Sequence, residues 1–172
     1  MCYIELQIIH DNGTDNRMTN NFVLDLQIAV NSVTDLPTRE QIIEWLTVIL
    51  LPFQSKAELT IRIVDEEESR ALNKTYRNKD RPTNVLSFPF DTPVDLSIPL
   101  LGDLILCKTI VEKEAVAQNK DLLSHWAHMI VHGVLHLLGY DHITNHQAEK
   151  METLEIQIMN RLGFEDPYQL KD

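Results

Sequence analysis

Cysteine is scarce in this sequence of 172 residues: only Cys2 and Cys107 occur. One lies at the start of the chain and the other in an apolar run, so there is neither a disulfide framework nor a Cys-x-x-Cys metal pair. Both read as ordinary free thiols, Cys107 as a small buried residue. Long apolar runs are missing too. None approaches the roughly 20 residues needed to cross a bilayer, so no membrane partner is expected. No basic, apolar, small-residue pattern opens the chain, so no signal peptide is read and a cytoplasmic location is expected. Basic residues are outnumbered, 15 Lys and Arg against 26 Asp and Glu, for a net charge of −11. That argues against a generic nucleic-acid coat, because phosphate binding needs Lys and Arg. A local basic patch remains compatible, since the distribution of charge matters more than its sum.

The balance present, 44% hydrophobic and 24% charged residues, is that of a soluble globular protein of ordinary domain size. Residues 1–17 carry a turn-rich polar cluster, Asp11 to Asn16, and Met18 stands just before the first convincing strand. The reading is a poorly ordered N-terminal extension over 1–17 and a single domain over 18–172. Strands are expected at Phe22–Val30, Ala57–Val64, Asn84–Phe90 and Gly102–Cys107. Thr38 with Gln41, and Thr144 with Gln147, make capping boxes that open two helices. An acidic helix follows Asp65, another covers Thr109–Gln118, and Asp121 caps a central helix that Gly139 stops. The last helix has Ala148, Met151, Leu154, Ile158 and Leu162 inward. The expected fold class is therefore α+β: a small mixed sheet of about four strands packed with about five helices.

The central helix carries His125, His128, His132 and His136. At 100° per residue they fall within a stripe of roughly 80°, with Trp126, Ile130, Val134 and Leu137 on the opposite side. The expected helix buries one apolar face and presents imidazoles on another. Residues at i and i+4 sit one above the other and can share a metal. His128 and His136 are separated by about 12 Å of rise, too far for one ion with bonds of about 2 Å. A third ligand must come from outside the helix. Gly139 can turn the chain back, and His142 follows three residues later. The pattern His132-x-x-x-His136-x-x-Gly139-x-x-His142 has the spacing of the metzincin motif, making this a zincin-like metal helix. The peptidase base of that motif is a glutamate after the first histidine, and here that place holds Gly133. A glycine inside a helix costs about 1 kcal/mol, which suggests a close approach there. Three imidazoles leave a fourth position for water, as catalytic zinc sites do. Zn2+ is the first choice, one ion, and another imidazole-binding metal such as Ni2+ suits the same donors.

A second feature is the stretch Arg70 to Arg81, with five basic residues against one acid, a local charge of +4. Such a patch on an acidic background suits a phosphate-bearing ligand, although on charge alone a solvated helix end and loop is the better reading. The segments Leu72–Pro89 and His132–His142, with Gly102-Asp103-Leu104 and the tail Leu162–Tyr168, resemble the YbeY family of bacterial ribosomal-RNA maturation factors. The resemblance runs from about residue 22 to the end.

The resemblance implies a metal-dependent, single-strand-specific endoribonuclease acting in rRNA maturation, including the 3′ end of 16S rRNA, and in ribosome quality control. It implies ribosomal RNA, the ribosome or its small subunit, and a ribosomal or assembly-factor protein as partners. It gives His132, His136 and His142 the metal and Arg77 a catalytic or RNA-binding role. Lys79 and Arg81 are further candidates for RNA phosphate. Asp141, next to a ligand, is a candidate base, with a hydrogen bond to an imidazole as the rival role. Two alternative functions stand beside this: a non-catalytic ribosome-assembly factor with a structural zinc, and a zinc peptidase, disfavoured by Gly133.

Overall fold

The computed structural model describes residues 21–91 and 98–169. The expected extension over 1–17 lies outside the described residues. Among the described residues the order is β1 (Phe22–Ala29), α1 (Arg39–Leu50), β2 (Ala57–Val64), α2 (Glu66–Arg77), β3 (Val85–Pro89), β4 (Leu100–Cys107), α3 (Lys108–Ala117), α4 (Leu122–Leu137) and α5 (Asn145–Arg161). The fold is α+β, with four strands in the order β1-β2-β4-β3. β1, β2 and β4 run parallel, and β3 pairs antiparallel with β4 at the edge. Both expected capping boxes form, at Thr38/Gln41 and Thr144/Gln147.

Most of the core lies between one face of the sheet and α1, α4 and α5. Leu59, Ile61, Ile63, Leu104 and Leu106 face it, as the alternation along β2 predicts. A smaller cluster of Val64, Leu86 and Ile105, with Leu72 of α2 packed against it, lies on the other face. Gly102 makes the β3–β4 edge possible. Its φ is +140°, and a Cβ there would stand 2.1 Å from the Phe88 carbonyl oxygen and 3.0 Å from Leu137 Cδ2. Only glycine lets β3 lie this close to β4 and α4.

The central helix departs from the amphipathic expectation. From His125 to Leu137 every residue of α4 is buried except His132 and His136. His125 is 2% exposed and His128 6% exposed, so the histidine stripe is not a surface face. The reason is packing on several sides: the sheet, α1, α3 and α5 all contact α4. A helix covered this way needs little polarity anywhere. The two imidazoles that escape burial are one turn apart near its C-terminal end. No helix among the described residues is long and apolar enough to cross a membrane.

Candidate metal centre

Three local devices bring the histidines together. Asp121 caps α4, its side chain accepting from Ser124 N at 3.0 Å. Gly139 takes φ +97°, with Tyr140 N donating to Leu135 O at 3.0 Å, and the chain reverses. Asp141 then accepts from the backbone N–H of His142 at 2.8 Å through Oδ1. The ligand atoms of His132, His136 and His142 lie within 4.8 Å of one another. His132 Nε2 and His136 Nε2 are 3.2 Å apart. Bonds of about 2.0–2.1 Å meeting tetrahedrally set neighbouring nitrogens about 3.4 Å apart, so this pair fits a zinc ion. Two lone pairs held this close repel unless a proton or a cation lies between them, which also suits a metal.

His132 and His136 line a cleft of about 800 Å³ together with the residues of β3. Arg77 and Tyr76, at the end of α2, line it too. Tyr76 reaches this position by packing edge-on against Phe88, centroids 5.1 Å apart. The loop that follows α2 is tied down by Ser69, which exchanges hydrogen bonds with Thr83 at 3.0 and 3.1 Å, and by Asn73, which donates to Arg81 O at 2.7 Å.

The basic stretch resolves into two groups. Arg70 forms a two-pronged bond to Asp80 at 2.8 and 3.2 Å, and Lys74 is 3.9 Å from the same carboxylate. Arg77, Lys79 and Arg81 are exposed and make no ion pair among the described residues. Of these three, only Arg77 lines the cleft. Lys79 and Arg81 stand outside its lining. Asp141 lines the cleft, and its carboxylate accepts from the His142 backbone N–H.

Gly133 packs its α-carbon against the sheet. A Cβ at this position would stand 2.8 Å from Leu104 Cδ2 and 3.2 Å from Val85 Cγ2. Ser87 of β3, also in the cleft, donates to Gly133 O at 3.2 Å. The place where a peptidase would carry its glutamate is therefore closed by β3 and β4.

Sequence reasoning missed Glu155 and Tyr168. Glu155 on α5 is 1% exposed, with Oε1 2.6 Å from His132 Nδ1. The Tyr168 hydroxyl donates to Oε2. His128 Nε2 is 3.5 Å from Oε1, a longer approach at the limit of hydrogen bonding. Burial pushes the Glu155 carboxyl up, but bonding and charge from His128, His132 and Tyr168 outweigh it and hold it at about 2. The same burial, reinforced by Glu155, raises the Tyr168 hydroxyl above its usual range. Burial lowers His128, against the pull of Glu155. Burial also lowers His136, helped by its histidine neighbours His132 and His142. Neutral imidazoles are the form a metal requires. A signal for Glu155 was present: it falls on the inward stripe of α5 between Met151 and Ile158, where a charge demands a buried partner.

The solution structure of TM1509 from Thermotoga maritima superimposes with a TM-score of 0.53 and 26% identity, covering 86% of this chain and 99% of that one. The family model for Endoribonuclease YbeY matches residues 27–163, a span that holds Arg77, all three clustered histidines and Glu155. On that match the chain belongs to the YbeY endoribonuclease family.

Proposed function

We propose that this chain is a metal-dependent endoribonuclease that cuts single-stranded RNA during rRNA maturation, including the 3′ end of 16S rRNA, and acts in ribosome quality control. Endonucleolytic action on RNA comes with the family. The observation that carries the finer reading is the convergence of His132, His136 and His142 in one cleft that Arg77 also lines. Zn2+ is the ion of choice for three imidazoles, with Ni2+ the nearest rival. A divalent ion held there supplies Lewis acidity, activating water near neutral pH and polarising a phosphoryl oxygen.

The remaining work falls to the chain. Arg77, an exposed cation on the cleft wall, clamps the scissile phosphate and offsets charge that develops on its oxygens. Lys79 and Arg81, outside the cleft, hold flanking phosphates of the RNA. Asp141 is the candidate proton acceptor inside the cleft. An acidic protein with one short basic stretch binds naked RNA weakly, so the ribosome, its small subunit or a ribosomal or assembly-factor protein presents the substrate. Residues 18–172 act as the catalytic domain, in the cytoplasm.

The experiment is cleavage of a single-stranded RNA by wild type and Arg77→Ala, with metal content measured on both. The proposal expects equal metal and a large loss of cleavage in the variant. Equal cleavage removes Arg77 from the mechanism. RNA or ribosome binding with no cleavage by wild type, in nuclease-free preparations, favours a non-catalytic assembly factor with a structural zinc.

A further inference from the structure

We infer that Glu155 and Tyr168 are a positioning pair that fixes the His132 ring for metal binding, so that the C-terminal tail is part of the metal site. This rests on the metal reading proposed above. Glu155 is buried on α5, and a buried carboxylate is tolerated only when its oxygens are bonded. Both are: Oε2 accepts from the Tyr168 hydroxyl, and Oε1 lies 2.6 Å from His132 Nδ1. A carboxylate that already accepts an O–H at one oxygen offers the other as an acceptor as well. The His132 proton therefore sits on Nδ1. Its Nε2 is left as a bare lone pair, and Nε2 is the atom that faces His136 across 3.2 Å.

Without Glu155 nothing compels this tautomer. The free ring exchanges its proton between nitrogens and turns about its own axis, and only part of that population presents Nε2 to the cleft. His132 thus gains its orientation from α5.

Tyr168 extends the chain of support beyond α5. The chain turns after Gly163, at φ +84°. Asp166 Oδ1 accepts from Tyr168 N at 2.8 Å and closes the next turn. The Tyr168 ring then packs edge-on against His128, centroids 5.3 Å apart. The tail thereby reaches a site whose cleft it does not line.

The test uses the full chain as wild type, Glu155→Gln and Tyr168→Phe. Two quantities are read: the zinc Kd, by competition with a chromophoric chelator, and the His132 tautomer in metal-free protein, by 15N-resolved imidazole NMR. Wild type is expected to show the proton on Nδ1. Glu155→Gln is expected to weaken zinc binding about 10- to 100-fold and to mix the tautomers. Tyr168→Phe, which keeps the carboxylate, is expected to weaken zinc several-fold, and it carries the test should Glu155→Gln fail to fold. Folded variants with wild-type Kd and tautomer overturn the inference while leaving the metal reading intact. A wild-type His132 protonated on Nε2 overturns it regardless of zinc. A wild type that binds no zinc overturns the metal reading and this inference together.

Discussion

His132 and His136 stand one turn apart on α4 with their Nε2 atoms 3.2 Å from each other. They are the two residues between His125 and Leu137 that the fold leaves partly open, and the cleft they line also holds His142 and Arg77. A helix sealed from His125 to Leu137 except at a metal-spaced pair is hard to account for by packing.

Zinc should stabilise the chain through these side chains. An ion that binds only the folded state adds about 2.7 kcal/mol at a concentration 100 times its Kd. Thermal unfolding of wild type should therefore move upward on titration with zinc. His136→Ala should abolish the shift. A shift that survives this substitution places the ion elsewhere.

Arg77→Ala should lower kcat by about 100- to 1000-fold, the range for losing one donor to developing charge. Zinc content and fold should not change, because Arg77 is exposed and makes no ion pair among the described residues. Arg81→Ala and Lys79→Ala, outside the cleft lining, should act mainly on KM and flatten its dependence on salt. A kcat loss in either of these two as large as that of Arg77→Ala contradicts the division of roles.

Gly133→Ala should destabilise the chain despite improving helix propensity. The added Cβ meets Leu104 Cδ2 at 2.8 Å in a fully buried contact. Overpacking costs about 1–3 kcal/mol, against a propensity gain of about 1 kcal/mol. Urea unfolding measures the balance, and a rise in stability would show that Leu104 can step aside. Gly133→Glu adds a buried charge to the clash, so it should lose stability without gaining peptidase activity.

Acid should unfold the metal-free chain in two stages. His128 has a lowered folded value through burial, so the unfolded state takes up the proton first and stability falls below the ordinary histidine value of about 6.5. Glu155 is held at about 2 when folded, below an ordinary glutamate value of about 4.3. Its contribution is present above that ordinary value and is lost as pH falls toward 2. Glu155→Gln should flatten the lower stage and, by removing the carboxylate that pulls His128 upward, deepen the upper one. Urea midpoints from pH 7 to 3 measure both slopes. An unchanged slope below pH 4.5 in the variant contradicts the assignment.

Much of this was legible in the residues. Thr38/Gln41 and Thr144/Gln147 announce their helices because a capping box is local chemistry. The ligand spacing is local as well, since a helix turn and one glycine bring His132, His136 and His142 together. Gly133 signals a close approach by its cost, and Leu104 and Val85 supply the reason. What stayed hidden depends on pairings distant in sequence. His125 and His128 read as part of a presented imidazole face, and only α1, α3, α5 and the sheet closing over α4 decide that they are buried. Asp80 reads as part of a basic run, yet it bonds Arg70 and pairs with Lys74, while Arg77 at the cleft has no ion pair among the described residues. Glu155 meets His132 from 23 positions away, a contact fixed by how α4 and α5 cross.

The central claim is that the three histidines hold one catalytic ion. His142 is exposed and follows the α4 turn, so its removal spares the core. The most direct test is metal analysis of wild type and His142→Ala, with a single-stranded RNA cleavage assay on the same preparations. The account predicts about one zinc per chain and metal-dependent cleavage in wild type, with both lost in a folded His142→Ala. Undiminished cleavage by folded, metal-free His142→Ala would contradict it.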